Sequence, residues 1–193
     1  MKKTHTYEKY EDYVKHQLKK TSDKSKQEKW LGVEWKKKIN IFKDLFTNLD
    51  KFIKGKTKAI CLGSRTGQEV VALKKLGVED SIGIDLHEFK PYTIVGDIHK
   101  IDFPDNTFDL AFSNIFDHSL FPEKFASETY RVLQEGGIFI LHVQIGINQD
   151  GYTEVIIKNK NSIIELFKDF KLVQDGPIRS GIIGMNYEFV FEK

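Results

Sequence analysis

The sequence predicts a doubly wound α/β fold, a sheet of about seven strands, mostly parallel, with helices on both faces. Three observations predict it. From Lys58 onward, short apolar runs alternate with segments of helical periodicity. Turn-forming residues separate them, as in the PDNTFD stretch that ends at Asp109. The first run ends in a glycine-bearing loop that leads at once into a helix, the arrangement of ligand loops in such sheets.

The elements follow in order. KAICLG is a buried strand and GQEVVALKKLG a helix closed by Gly77. SIGIDL, YTIVGD and FDLAFSN are further strands. FPEKFASETYRVLQEGG is a helix with Pro122 in its first turn and Gly136-Gly137 at its end. IFILHVQI is a fifth strand and NSIIELFKDF a helix. KLVQDGPI and NYEFVFEK complete the sheet, and their close spacing predicts that the last strand runs antiparallel. Right-handed crossovers then fix the winding.

Upstream, residues 1–29 are polar, with Tyr7, Tyr10, Tyr13 and Val14 as a thin apolar stripe at a spacing compatible with a helix, and TSDKSKQEK reads as a break or a frayed loop. From Trp30 to Ile53 the spacing of Trp35, Ile39, Phe42, Leu45, Phe46 and Leu49 predicts an amphipathic helix, ended by Gly55. The expectation is one domain over residues 1–193, a helical cap or arm over 1–55 and an α/β core over 56–193. The cap should pack on the core or cover its ligand cleft.

Length and composition narrow the function. A chain of 193 residues that is 40% apolar and 30% charged can bury one real core. A formal net charge of only +2 speaks against a large nucleic acid as partner, although the N-terminal 60 residues are lysine-rich. Cys61 is the only cysteine, so no internal disulfide forms and a cysteine zinc site is not expected. The start has no apolar leader and no stretch approaches a membrane span, so a cytoplasmic protein with no membrane partner is expected. A monomer or homodimer is expected.

The sharpest local signal is KAICLGSRTGQEVVAL. A strand ends at Leu62, a loop runs from Gly63 to Gly67, and a helix begins. Glycines there allow unusual backbone angles and close approach of a ligand. Asp85 ends the next strand, 22 residues after Gly63, where a carboxylate can accept both hydroxyls of a ribose. Neither the dinucleotide fingerprint nor the phosphate loop is matched.

The ordered set CLGSRTGQE, GIDL, GDIHKIDFPDNTFDLAFSNIFDH and YRVLQEGGIFIL resembles the class I S-adenosylmethionine-dependent methyltransferases, within them the small domains that methylate small molecules. The resemblance spans about Lys58 to Val143. It implies S-adenosyl-L-methionine as cofactor. It implies that Gly63, Ser64, Arg65, Thr66 and Gly67 pass under the methionine part. Asp85 would hold the ribose and Leu86 would pack on the adenine. Asp97 and the Ile98 N–H would read its edge, and Ser113 and Asn114 would line the floor beneath the methyl group. Many family members carry an acid where Cys61 stands, so Glu69, Gln68 or a water would substitute. Arg65 departs from the glycine pattern, and would bind the cofactor carboxylate or clamp the loop through an acidic neighbour.

Methyl transfer needs alignment, and for a hydroxyl acceptor a base. His118 is the first candidate because it follows the fourth strand, then Asp117, then His142. His87 and His99, near Asp85 and Asp97, are read as nucleoside-site neighbours, and no metal is expected. The short chain leaves lid duty to the N-terminal helix and the QIGINQDGYTEV segment. The expected acceptor is a small polar molecule, a hydroxyl of a sugar, nucleotide-sugar or other metabolite. The alternatives are a non-catalytic cofactor- or partner-binding relative, and a protein or RNA methyltransferase that uses the basic arm.

Overall fold

The computed structural model describes residues 1–146, 150–178 and 184–193. In chain order the elements are β1 (Lys2–Lys3), α1 (Tyr10–Thr21), α2 (Lys24–Leu31), α3 (Trp35–Thr47), α4 (Asp50–Ile53), β2 (Lys58–Leu62), α5 (Gln68–Lys75), β3 (Asp80–Asp85) and β4 (Thr93–Val95). Then come β5 (Phe108–Ser113), a 3-10 turn (Phe116–His118), α6 (Pro122–Val132), β6 (Leu133–Val143), β7 (Val155–Ile156), α7 (Asn161–Leu166), β8 (Lys171–Pro177) and β9 (Tyr187–Glu192).

The main sheet has seven strands in the order β4-β3-β2-β5-β6-β9-β8. The first five run parallel, and β9 runs antiparallel to both its neighbours, as expected of the last strand. The order reverses direction between β2 and β5, so the carboxyl ends of these strands open a crevice at the switch point.

The strands are apolar at nearly every position because both faces are covered. One face, with Ile60, Leu62, Phe139, Leu141, Phe189 and Phe191, packs with Phe125 of α6 and Ile163 of α7. The opposite face, with Ala59, Cys61, Phe112, Ile140 and Val190, packs with Phe42 and Phe46 of α3 and Val70 and Leu73 of α5. Each fully buried phenylalanine such as Phe46 contributes about 1.5–3 kcal/mol.

The N-terminal third departs from expectation. TSDKSKQEK is broken only around Ser22 and Asp23, and Lys24–Leu31 is helical. Asp23 caps this helix, accepting from the N–H groups of Ser25 at 3.0 Å and Lys26 at 3.2 Å. Trp30–Ile53 is not one helix: α2 stops at Gly32, and α3 and α4 follow as separate segments. The helix expected to run to Gly137 ends at Val132, because Leu133 already pairs with Phe108 as the start of β6. A further two-stranded ribbon, β1 with β7, ties the N-terminus to the segment after residue 150.

Several signature residues are structural. Asp109 accepts from the backbone N–H groups of Thr57 at 2.7 Å and Lys58 at 3.0 Å, fastening β5 to the start of β2. Arg131 donates to Glu128, Asp105 and the carbonyls of Ile101 and Phe103, and so clamps the loop that leads away from Asp97. Among the described residues no helix is long and apolar enough to cross a membrane.

Candidate active site

The loop between β2 and α5 turns through three left-handed residues, Gly63 at φ +73, Arg65 at +50 and Gly67 at +82. Gly63 has no alternative: a Cβ there would lie 2.1 Å from Ile115 Cγ1. Arg65 adopts a conformation that costs a non-glycine residue roughly 1–2 kcal/mol. Two contacts hold it. Its N–H donates to Asp85 Oδ2 at 2.9 Å, and its guanidinium stacks on the Trp30 ring at 4.4 Å. Among the described residues no acidic side chain forms an ion pair with Arg65, so it does not clamp the loop in that way. Burial pushes the Asp85 carboxyl up, and the hydrogen bond from Arg65 pulls it back.

A cleft partly open to solvent lies between this loop and α1. Asp85, Leu86, Asp97 and Ile98 form one wall, at the ends of β3 and β4, and Tyr13 and Gln17 of α1 form the other. A larger cavity adjoins it, and Gly63, Arg65, Ile115, His118 and Lys20 border both. The larger one is reached by Ser64, Gln68, Glu69 and Asn114. Thr66, Gly67 and Ser113 are turned into the protein. Thr66 Oγ1 donates to Gln68 Oε1 at 2.6 Å, and Ser113 Oγ to the Leu62 carbonyl at 3.1 Å, so both brace strand and loop ends. A Cβ on Gly67 would meet Tyr92 Cβ at 2.5 Å, so this glycine serves close packing against β4.

Asp97 sits in a network that the sequence did not reveal. Its Oδ1 accepts from the His99 N–H at 2.8 Å and from His99 Nδ1 at 3.1 Å, and its Oδ2 accepts from Tyr10 Oη at 2.6 Å. His99 Nε2 accepts from the Phe121 N–H, which places the ring hydrogen on Nδ1. Burial raises the Asp97 carboxyl, but the hydrogen bonds from His99 and Tyr10 outweigh it and hold it low. The tyrosine stripe thus covers the cleft: Tyr13 is buried and donates to the His118 carbonyl at 3.0 Å. The spacing of Tyr10 and Tyr13 was visible as a stripe, but nothing local told that it faced a ligand site.

Glu69 is buried at the N-terminus of α5, and burial pushes its carboxyl up to about 7, against the pull of Arg65 and Lys38. Cys61 lies nearby with its thiol pushed up by burial, so it stays neutral and cannot replace an acid.

His118 lies at the junction of the two cavities. Its Nδ1 is 2.8 Å from the Tyr152 carbonyl, so Nδ1 carries the hydrogen and Nε2 is left as an acceptor. Asp117 lines neither cavity. It is buried, its carboxyl is pushed up by burial, and its Oδ2 lies 3.7 Å from His118 Nε2, beyond hydrogen-bond reach. His142 is fully enclosed in the sheet, edge-on to Phe112 and 2.9 Å from Glu188 Oε2, and is not brought to the cleft. Of the lid segment, Asp150 borders the larger cavity and pairs with Lys20 at 2.6 Å, while residues 147–149 lie outside the described residues.

Residues 60–141 match the family model described as a methyltransferase domain. Those residues form a class I S-adenosylmethionine-dependent methyltransferase domain. Among the solved structures that share its fold are the following three. A Burkholderia thailandensis 1,6-didemethyltoxoflavin-N1-methyltransferase, with 1,6-didemethyltoxoflavin and S-adenosylhomocysteine bound, is 13% identical with a TM-score of 0.72, over 98% of this chain and 92% of that one. A protein from Pyrococcus horikoshii OT3 is 21% identical with a TM-score of 0.65, over 83% and 92%. A SAM-dependent methyltransferase from Aquifex aeolicus is 19% identical with a TM-score of 0.57, over 77% and 88%. No curated protein sequence matches the chain.

The matched region is that of an enzyme whose cofactor is S-adenosylmethionine, and the cleft beside it suits that molecule chemically. Two carboxylates, Asp85 and Asp97, bracket the apolar Leu86 and Ile98, as a nucleoside requires. Beyond the glycine loop, Glu69 and Arg65 offer opposite charges for an amino-acid end.

Proposed function

We propose that this methyltransferase transfers its methyl group to a small polar acceptor, a hydroxyl of a sugar, nucleotide-sugar or other metabolite, with His118 as the base. The single observation that carries this reading is the placement of His118: its side chain borders both cavities, and its Nδ1 is engaged by the Tyr152 carbonyl, which leaves Nε2 to accept.

In this reading Asp85 holds the ribose hydroxyls, Leu86 packs on the adenine, and Asp97 and the Ile98 N–H read its edge. Glu69 and Arg65 would hold the ammonium and the carboxylate of the methionine end beside Gly63, while Ser64, Gln68 and Asn114 would line the passage to the acceptor. Thr66, Gly67 and Ser113 act from behind as braces. The bound cofactor supplies an activated methyl on a sulfonium. His118 Nε2 would take the acceptor's O–H proton, and the cofactor would supply the methyl group and leave as the neutral thioether. Asp117 and His142 take no part in contact with the reactants. The larger cavity carries five cationic side chains, Lys20, Lys29, Lys37, Lys38 and Arg65, against three carboxylates, Glu34, Glu69 and Asp150. That balance favours an acceptor bearing an anionic group, as a nucleotide-sugar does.

The test is turnover of methyl-labelled cofactor against a panel of hydroxyl acceptors with and without phosphate, at several pH values. On the acceptor so identified, His118→Gln should lower turnover by about 10²- to 10⁴-fold with S-adenosylhomocysteine affinity unchanged. Near-native turnover with the same pH profile would remove His118 from the mechanism.

A further inference from the structure

At the outer edge of the lid, the N-terminal strap meets the segment before β7 at a cluster that methyl transfer does not use. His5, His16 and Glu154 each present one donor atom, all within 4.8 Å of one another. His5 Nδ1 is 3.5 Å from Glu154 Oε2, and His16 Nδ1 is 3.6 Å from Glu154 Oε1. Ligand bonds of about 2.0–2.2 Å at tetrahedral angles set neighbouring donor atoms roughly 3.3–3.5 Å apart. Both histidine–carboxylate separations are near that spacing, each to its own oxygen of Glu154.

The state of Glu154 is the second observation. Its side chain is 1% exposed, and among the described residues no lysine or arginine pairs with it. Oε1 accepts from two neutral donors, Tyr7 Oη at 2.6 Å and Gln17 Nε2 at 2.8 Å. Oε2 is buried and has no hydrogen-bond partner. An ionised carboxylate withdrawn from water calls for a counter-charge and for partners on both oxygens. The two imidazoles remain 34% and 24% exposed, which leaves an ion a way in.

We propose that His5, His16 and Glu154 bind a divalent first-row transition metal, zinc as the expected ion, and that the ion fastens the N-terminal strap over the cofactor cleft. Two imidazoles and one carboxylate match that class, whereas calcium and magnesium favour all-oxygen sets. Tyr7 and Gln17 orient the carboxylate by saturating Oε1, so that Oε2 faces the ion. Without the ion, the Nδ1 hydrogens point to Thr4 Oγ1 from His5 and to Tyr7 Oη from His16. Binding moves each hydrogen to Nε2 of the same neutral ring. The fastening reaches the cleft through Gln17, which also donates to the Tyr152 carbonyl at 2.9 Å, the same carbonyl that orients His118. The site stands independently of the identity of the acceptor.

The experiment titrates zinc chloride into tag-free protein by calorimetry and records the visible spectrum with cobalt chloride. Wild type should bind one ion per chain, show the intense visible bands of tetrahedral cobalt, and resist a magnesium excess. His5→Asn and His16→Asn should each weaken binding by about tenfold or more. Zinc should raise the unfolding temperature of wild type and not of the variants. Because His5 is partly exposed, His5→Asn keeps the fold even if Glu154→Gln does not, and S-adenosylhomocysteine binding verifies the cleft in each. No saturable zinc binding, binding unchanged in both histidine variants, or a weak octahedral cobalt spectrum would each overturn the proposal.

Discussion

Tyr10 and Asp97, 87 positions apart, are joined by a hydrogen bond of 2.6 Å from the phenol to a carboxylate that lines the cleft. The first helix is therefore tied to the wall of the cleft itself. Tyr10→Phe should lower stability at pH 7 by about 1.5–3 kcal/mol, the range for a hydrogen bond to a charged group, read by urea unfolding. An unchanged midpoint would mean that α1 is held by its aromatic packing alone.

Glu69 makes stability and cofactor binding depend on pH in opposite ways. Its carboxyl is raised from 4.5 to about 7 by burial. The folded state then holds a proton that the unfolded chain has lost, so stability falls as pH rises from about 4.5 to about 7 and levels off above. Glu69→Gln should remove that slope. A cofactor ammonium needs the ionised form, so S-adenosylhomocysteine affinity should rise roughly tenfold from pH 6 to pH 8 in wild type and stay flat in the variant. A slope that persists in the variant would assign it elsewhere.

Arg65 is expected to serve the cofactor carboxylate. Arg65→Ala should weaken S-adenosylhomocysteine by about tenfold or more. Methylthioadenosine, which lacks the amino-acid end, should bind wild type and variant alike. Equal losses for both ligands would show instead that the side chain only shapes the loop, through its stacking on Trp30.

The core was legible because both faces of the sheet are covered. KAICL and FDLAFS read as strands from their unbroken apolar runs, and the helices between them show their stripe. Asp85 was legible because it ends a recognisable strand, whereas Leu86, Asp97 and Ile98 were expected only from the resemblance of the motifs; all four line the cleft. Helix α2 was not legible: KSKQEK has no apolar period, and the helix depends on the Asp23 cap and on Trp30 finding a buried place. Strand β1 has two residues, and its partner lies more than 150 positions away. The tie from Tyr10 to Asp97 and the withdrawal of Ser113 and His142 from the cleft are likewise tertiary facts that no local pattern encodes.

The central claim is that the crevice beside the glycine loop holds S-adenosylmethionine through Asp85. Calorimetry of S-adenosylhomocysteine on wild type, Asp85→Ala and Asp85→Asn tests it most directly. Asp85→Asn keeps an oxygen to accept the Arg65 N–H, which separates ligand binding from loop support. Both variants should bind about tenfold or more weaker than wild type, in line with the loss of a charge-assisted hydrogen bond worth about 1.5–3 kcal/mol. Nicotinamide dinucleotides should not bind wild type. Unchanged affinity in both folded variants would contradict the account.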